Sequence, residues 1–162
     1  MNADLVIRPE SPDQPEVVQA LEALDRYLAA LYPPEANHIL DVGALQQPDV
    51  RFLVARDGSG ALVGTAAYRR MPGEAQTGGV AYGEVKRMYV SPAQRGQRIG
   101  ARLLQALEDG MRGDGLPQAL LETGADQTEA VRLYQRAGYT RRGPFAGYPD
   151  NGLSLFFAKT LK

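Results

Sequence analysis

The sequence contains no cysteine and only one histidine, His38. The first absence excludes a thiol nucleophile, a disulfide framework and thiolate metal sites, and the second excludes a multi-histidine metal centre. No basic segment followed by an apolar one opens the chain at MNADLVIRPE, and no apolar run approaches the length of a bilayer crossing. A cytoplasmic protein with no membrane partner is the expectation. Charge of one sign is not in excess either: 18 Lys and Arg against 19 Asp and Glu leave a formal charge of -1. Bulk electrostatics therefore call for no nucleic acid and no anionic surface. There is no internal repeat, low-complexity tract or interdomain linker, and 162 residues suit one domain, 1–162, with its own core.

What is present reads as alternating elements. Residues 5–8 make a short strand closed by Pro9. Ser11-Pro12-Asp13-Gln14 predicts a helix start, with serine as cap and Gln14 completing a capping box. Val17, Leu21, Leu24, Leu28 and Leu31 then form one apolar stripe, ended by Pro33-Pro34. Residues 33–50 are irregular or weakly helical. Strands follow at 51–56 and 61–70 around an Asp-Gly turn, and a third at 81–90 stops at Ser91-Pro92. A helix over 98–111, a strand at 118–123, a helix opened by Asp126 and Glu129, and strands at 139–142 and 153–160 complete the order β-α-α-β-β-β-α-β-α-β-β.

The informative stretch is VKRMYVSPAQRGQRIGARLL, residues 85–104. A strand ends at Val90, a turn follows, and Arg95-Gly96-Gln97-Arg98-Ile99-Gly100 opens a helix. A first helical turn offers unpaired N–H groups and the positive end of the macrodipole, and glycine lets an anionic ligand approach the backbone. Lys86, Arg87, Arg95, Arg98 and Arg102 gather here with no acidic residue between Val85 and Leu107. Ordinary turn glycines beside a solvated arginine face would leave the same trace. The segment lacks the Lys-Ser or Lys-Thr ending of a nucleotide P-loop and the glycine spacing of a dinucleotide fold, so a phosphate-bearing ligand of another class is favoured.

This segment resembles the coenzyme A-binding motif of the GCN5-related N-acetyltransferases: Arg or Gln, two residues, Gly, one residue, then Gly or Ala. Arg95 matches the first position and Gly100 the last, while Arg98 stands where the central glycine usually lies. Residues 127–139, QTEAVRLYQRAGY, are similar to the family's Asn-x-x-Ala-x-x-Phe-Tyr pattern followed by Gly-Phe. Ala130, Tyr134 and Gly138 match directly, Leu133 and Tyr139 match in kind, and Gln127 replaces the asparagine. The resemblance implies an α/β (α+β) single-domain acetyltransferase fold. Its sheet is mixed and mostly antiparallel, with a splayed central parallel pair and flanking helices. It implies acetyl-CoA as co-substrate, with the pyrophosphate held by the backbone of Arg95, Gly96, Gln97, Arg98, Ile99, Gly100 and Ala101. Amides around Met88, Tyr89 and Val90 would hold the pantetheine arm and face the acetyl carbonyl, with Gln127 a further cofactor contact.

Two residues are candidates for proton transfer. Glu84 occupies the position of the base glutamate in the histone-modifying branch of the family, and in a regular strand it shares a side with Val90. The alternative is a half-exposed strand residue paired with Lys86 or Arg69. Tyr134 takes, by resemblance, the role of proton donor to the leaving sulfur; the alternative is an aromatic on the core-facing stripe. Tyr32, His38 and Tyr148 are weaker acceptor-facing candidates. The expected function is acetyl transfer to a primary amine of an unidentified small molecule. A protein N-terminal or lysine acetyltransferase and a non-catalytic acyl-CoA-binding module are the alternatives. An exposed edge strand could support a homodimer.

Overall fold

A computed structural model describes residues 4–32, 41–94 and 97–162. Its elements follow the expected order: β1 (Val6–Pro9), α1 (Pro15–Leu31), α2 (Val42–Leu45), β2 (Val50–Arg56), β3 (Leu62–Met71), β4 (Tyr82–Val90), α3 (Ile99–Gly113), β5 (Gln118–Gly124), α4 (Thr128–Arg136), β6 (Thr140–Arg142) and β7 (Ser154–Thr160). The seven strands form one mixed sheet in the order β1-β2-β3-β4-β5-β7-β6. β4 and β5 run parallel, pairing Gly83 with Ala119 and Glu84 with Leu120. The pairs β1·β2, β5·β7 and β6·β7 are antiparallel.

Helix starts differ from the sequence reading. α1 begins at Pro15, because proline itself takes the first turn, and the N-cap is Gln14 without a side-chain capping bond. Ser11 instead accepts from the amide of Asp13, and Gln14 donates to Glu10 and to the Ser11 carbonyl, which makes a turn rather than a cap. The apolar stripe buries Val17, Leu21 and Leu24, whereas Leu31 is exposed at the far end. In α4 the N-cap is Gln127, not Asp126, and the Gln127 side chain makes no capping bond. Where side-chain caps do form, one is Asp41, whose carboxylate accepts from the Ala44 amide to start α2.

Backbone contacts gather into two compact units. The first comprises residues 1–68 and 86–107, the second 69–85 and 108–162. In the first, α1, α2 and the inner face of β2 and β3 enclose Val17, Leu21, Leu45, Phe52, Val54 and Ala67. Arg56 on β2 ties the start of α1 down through Glu10 (2.8 Å) and Glu16 (2.7 Å).

In the second unit the register assigns faces. Leu120 pairs with Ala158 and Glu122 with Phe156, while Leu121 pairs with Phe157 on the opposite side of the sheet. The first face carries the cluster Tyr82, Leu120, Phe145 and Phe156. On the other face Phe157 packs against Tyr134, and Tyr134 against Tyr139. Glu108, 1% exposed, is paired there with Lys159 at 2.8 Å and accepts from Tyr139 at 3.0 Å, which is how a carboxylate is tolerated in an apolar layer.

Candidate active site

The first unit holds the phosphate-motif segment. β4 ends in a turn in which the Ser91 amide donates to Val63 and the Gln94 amide to Ser91. α3 then opens at Ile99 with no acidic residue in its first turn. Its seat on β3 is Gly64, where a Cβ would lie 2.9 Å from the Tyr89 carbonyl and 3.0 Å from Leu103 Cδ1. Only a residue without a side chain lets β3, β4 and α3 come this close. Ile99 is buried and anchors the helix start, Gln97 and Gly100 are half-buried, and Arg98 and Ala101 are exposed. Arg98 has φ 61°, so the left-handed backbone natural to glycine is kept although a side chain stands there. Arg98 is a local positive charge at a helix N-terminus. Arg95 and Gly96 lie outside the described residues.

Met88, Tyr89 and Val90 are half-buried at the end of β4. Immediately before them Arg87 has φ 55°, a left-handed residue inside a strand, in the manner of a β-bulge. This corrects the alternation argument, since a regular two-residue period does not run from Glu84 to Val90. Arg87 is also buried, and its guanidinium grips Asp25 of α1 at 2.5 and 3.4 Å.

The second unit gathers the proton-transfer candidates. Glu84 is 3% exposed, not half-exposed, and accepts a hydrogen bond from the Tyr148 hydroxyl at 2.5 Å. Tyr148 reaches it from the segment before β7, where Phe145 is fully buried and the Ala146 amide donates to Glu74 at 2.6 Å. Its ring packs edge-on against Phe145 and tilted against Phe156. Phe156 faces Glu122 across the β5–β7 register, and Ser154 donates to Glu122 at 2.6 Å. Glu84 and Glu122 thus share a sheet face, since Glu84 pairs with Leu120 and Glu122 lies two residues further along β5. Burial and the nearby carboxylates of Glu84 and Glu122 push the Tyr148 phenol well above its ordinary range.

Tyr134 stands on the other face of β5, 6% exposed, and its hydroxyl has no hydrogen-bond partner among the described residues. Burial, with the charge of Glu122 second, pushes its phenol up, so it stays a neutral donor through physiological pH. Gln127 is half-buried, and its side chain is not used as a cap. Tyr32 is buried as the C-cap of α1, and His38 lies outside the described residues. Sequence reasoning missed Glu122, Asp25 and the conformation of Arg87. A carboxylate directly after the apolar run Ala119-Leu120-Leu121 is the available signal for Glu122.

A family model described as the acetyltransferase (GNAT) family matches residues 17–139. A protein named IAA acetyltransferase from Azospirillum brasilense is 50% identical, over 98% of this chain and 99% of that one. The crystal structure of a Klebsiella pneumoniae protein described as an acyl-CoA N-acyltransferase superposes with a TM-score of 0.80 at 34% identity, covering 99% of this chain and 100% of the other. An aminoglycoside 6'-N-acetyltransferase complexed with coenzyme A shares the fold at a TM-score of 0.68 and 20% identity, over 96% of each chain.

Proposed function

Since the chain belongs to the GNAT acetyltransferase family and is an acetyl-CoA-dependent acyltransferase, we propose that it acetylates a primary amine of a small molecule. The observation that carries the reading is Glu84, a buried carboxylate placed under a tyrosine on the same face as Glu122. Two carboxylates with the rings of Tyr148 and Phe156 beside them suit an acceptor that arrives as an ammonium ion with an apolar body. The names of the Azospirillum relative and of the aminoglycoside-modifying neighbour support a small-molecule acceptor.

Acetyl-CoA supplies an activated thioester. Amides at the start of α3, residues 97–101, with the charges of Arg98 and Arg102, would hold its pyrophosphate; the left-handed Arg98 keeps the backbone shape that this requires. Arg95 and Gly96 would extend that cradle, and Gln127 would contact the cofactor from the start of α4. Amides of Met88 to Val90 would face the carbonyl, where hydrogen bonds stabilise developing negative charge. Glu84 takes the proton that the ammonium must lose, and the neutral amine forms the new C–N bond as the C–S bond breaks. Tyr134 returns a proton to the departing sulfur from the opposite face of the sheet.

Purified protein incubated with acetyl-CoA and a pooled library of small amines, read by free thiol and by product mass, tests the proposal. An amine-dependent thiol signal with a product heavier by one acetyl group is expected. Saturable acetyl-CoA binding without thiol release for any amine would favour a binding module, and acetylation confined to peptides added to the pool would favour a protein acetyltransferase.

A further inference from the structure

We propose that Arg87 is a positioning residue: its buried guanidinium, held by Asp25, locks the left-handed turn in β4 that aims the Met88 amide. The inference rests on the reading above in which the amides of Met88 to Val90 face the thioester carbonyl.

An L-residue with a side chain is strained in the left-handed region, and an arginine gains nothing locally to offset that strain. Arg87 nevertheless has φ 55° in the middle of a strand. A second unfavourable feature sits in the same side chain: Nε is buried with no hydrogen-bond partner among the described residues. Strain of this kind persists only where the surroundings over-determine it, and it collects at sites with a task. Here two anchors do so. Asp25 accepts from both terminal nitrogens, with the arginine side chain 5% exposed. On the backbone side, the Thr65 hydroxyl of β3 donates to the Arg87 carbonyl at 2.9 Å inside the core.

The second anchor has a geometric consequence. The carbonyl of Arg87 and the N–H of Met88 belong to one planar trans peptide unit, so they point in opposite directions. Fixing the oxygen on Thr65 fixes the Met88 N–H away from β3. Packing alone would be served by glycine at position 87, which takes this φ without strain but would leave the peptide unit free to turn. The clamp replaces that freedom with a preset donor, and a preset donor avoids reorganisation as charge develops on an oxygen. Asp25 lies on α1, so the turn is braced by helix and strand together within one compact unit.

The test uses acetyl-CoA carrying carbon-13 at the thioester carbonyl, with the carbonyl stretch measured in the bound and free states. Wild-type protein should lower the stretching frequency on binding. Arg87→Ala, which removes the clamp and keeps the φ penalty, should lose most of that shift. Arg87→Gly, which removes the clamp and the penalty together, should retain more of it than alanine does. Asp25→Asn and Thr65→Val should each reduce the shift. A purely structural arginine predicts an unchanged shift in every variant that folds, and that result overturns the proposal. Should Arg87→Ala not fold, Asp25→Asn and Thr65→Val decide by the same criterion. Bound acetyl-CoA with no carbonyl shift in the wild type would instead overturn the carbonyl-facing role of these amides, and the inference with it.

Discussion

Glu84 and Tyr148 are 64 positions apart in the chain, and a hydrogen bond joins them. No local pattern announces such a pair: the strand period placed Glu84 on a face, but only the return of the segment before β7 puts a phenol over it. Exchanging the carboxylate for an amide keeps its size and removes the proposed base. Glu84→Gln should therefore lower kcat by about 100-fold near neutral pH, with less loss for amines of low pKa that arrive already neutral, while coenzyme A affinity holds. Turnover of the variant that matches wild type across the pH range would leave Glu84 as a structural partner of Tyr148. Tyr134 has a hydroxyl with no hydrogen-bond partner among the described residues and a phenol pushed up by burial, so the proposed donation can be separated from packing. Tyr134→Phe keeps the ring against Phe157 and should cost kcat roughly 10- to 100-fold, the low end for a positioned acid because a thiolate leaves readily. Since the folded phenol titrates above its usual value of about 10, wild-type kcat should show no alkaline limb from this group below that pH. Glu122 stayed invisible at this scale because a lone strand carboxylate reads as solvated until its register partner is known to be the buried Phe156.

At the scale of elements, the sequence order of strands and helices was legible from hydrophobic period and proline and glycine stops, and the structure keeps all of it. Boundaries at helix starts were not. Ser11 and Asp126 have the chemistry of caps, but a capping residue must also adopt an extended backbone one step before the first turn. Pro15 and Thr128 put that step at Gln14 and Gln127 instead. Left-handed residues were hidden for a related reason: glycine advertises such a conformation, and Arg87 and Arg98 do not. Arg98 makes the point testable, since its strain and its charge act on different measurements. Arg98→Gly should raise the urea midpoint by an amount corresponding to about 1 kcal/mol, while coenzyme A binding weakens and loses part of its salt dependence. A variant no more stable than wild type would mean that the start of α3 relaxes the left-handed turn in solution.

For the whole molecule, family membership and a mixed, mostly antiparallel sheet with a central parallel pair were implied by two motifs in a compatible chain, whereas the acceptor was not, because side chains of β4, β5 and the segment before β7 meet on one sheet face only through the register. None of the described helices is long and apolar enough to cross a membrane. The charge network of the first unit joins Arg56 to Glu10 and Glu16. The network sets a stability profile with two edges. On the acid side, hydrogen bonds from Arg56 hold the Glu10 carboxyl down at about 2 from an ordinary 4.5. A carboxyl with a lower pKa in the folded state binds its proton more readily when unfolded. Its contribution is therefore complete above about 4.5 and is lost as pH falls toward 2. On the alkaline side Tyr82, Tyr134, Tyr139 and Tyr148 are all pushed up, in each case chiefly by burial. Their unfolded forms ionise first, so stability is held below about 10 and declines above it. Urea midpoints recorded across pH should thus show a plateau with a fall at either end. Glu10→Gln should flatten the acid fall and lower the plateau, because Arg56 would keep Glu16 but lose its ion pair with Glu10. An acid edge as steep in the variant as in wild type would place the sensitive carboxylate elsewhere, and a plateau unmoved by the substitution would show that Arg56 gains as much from water as from Glu10.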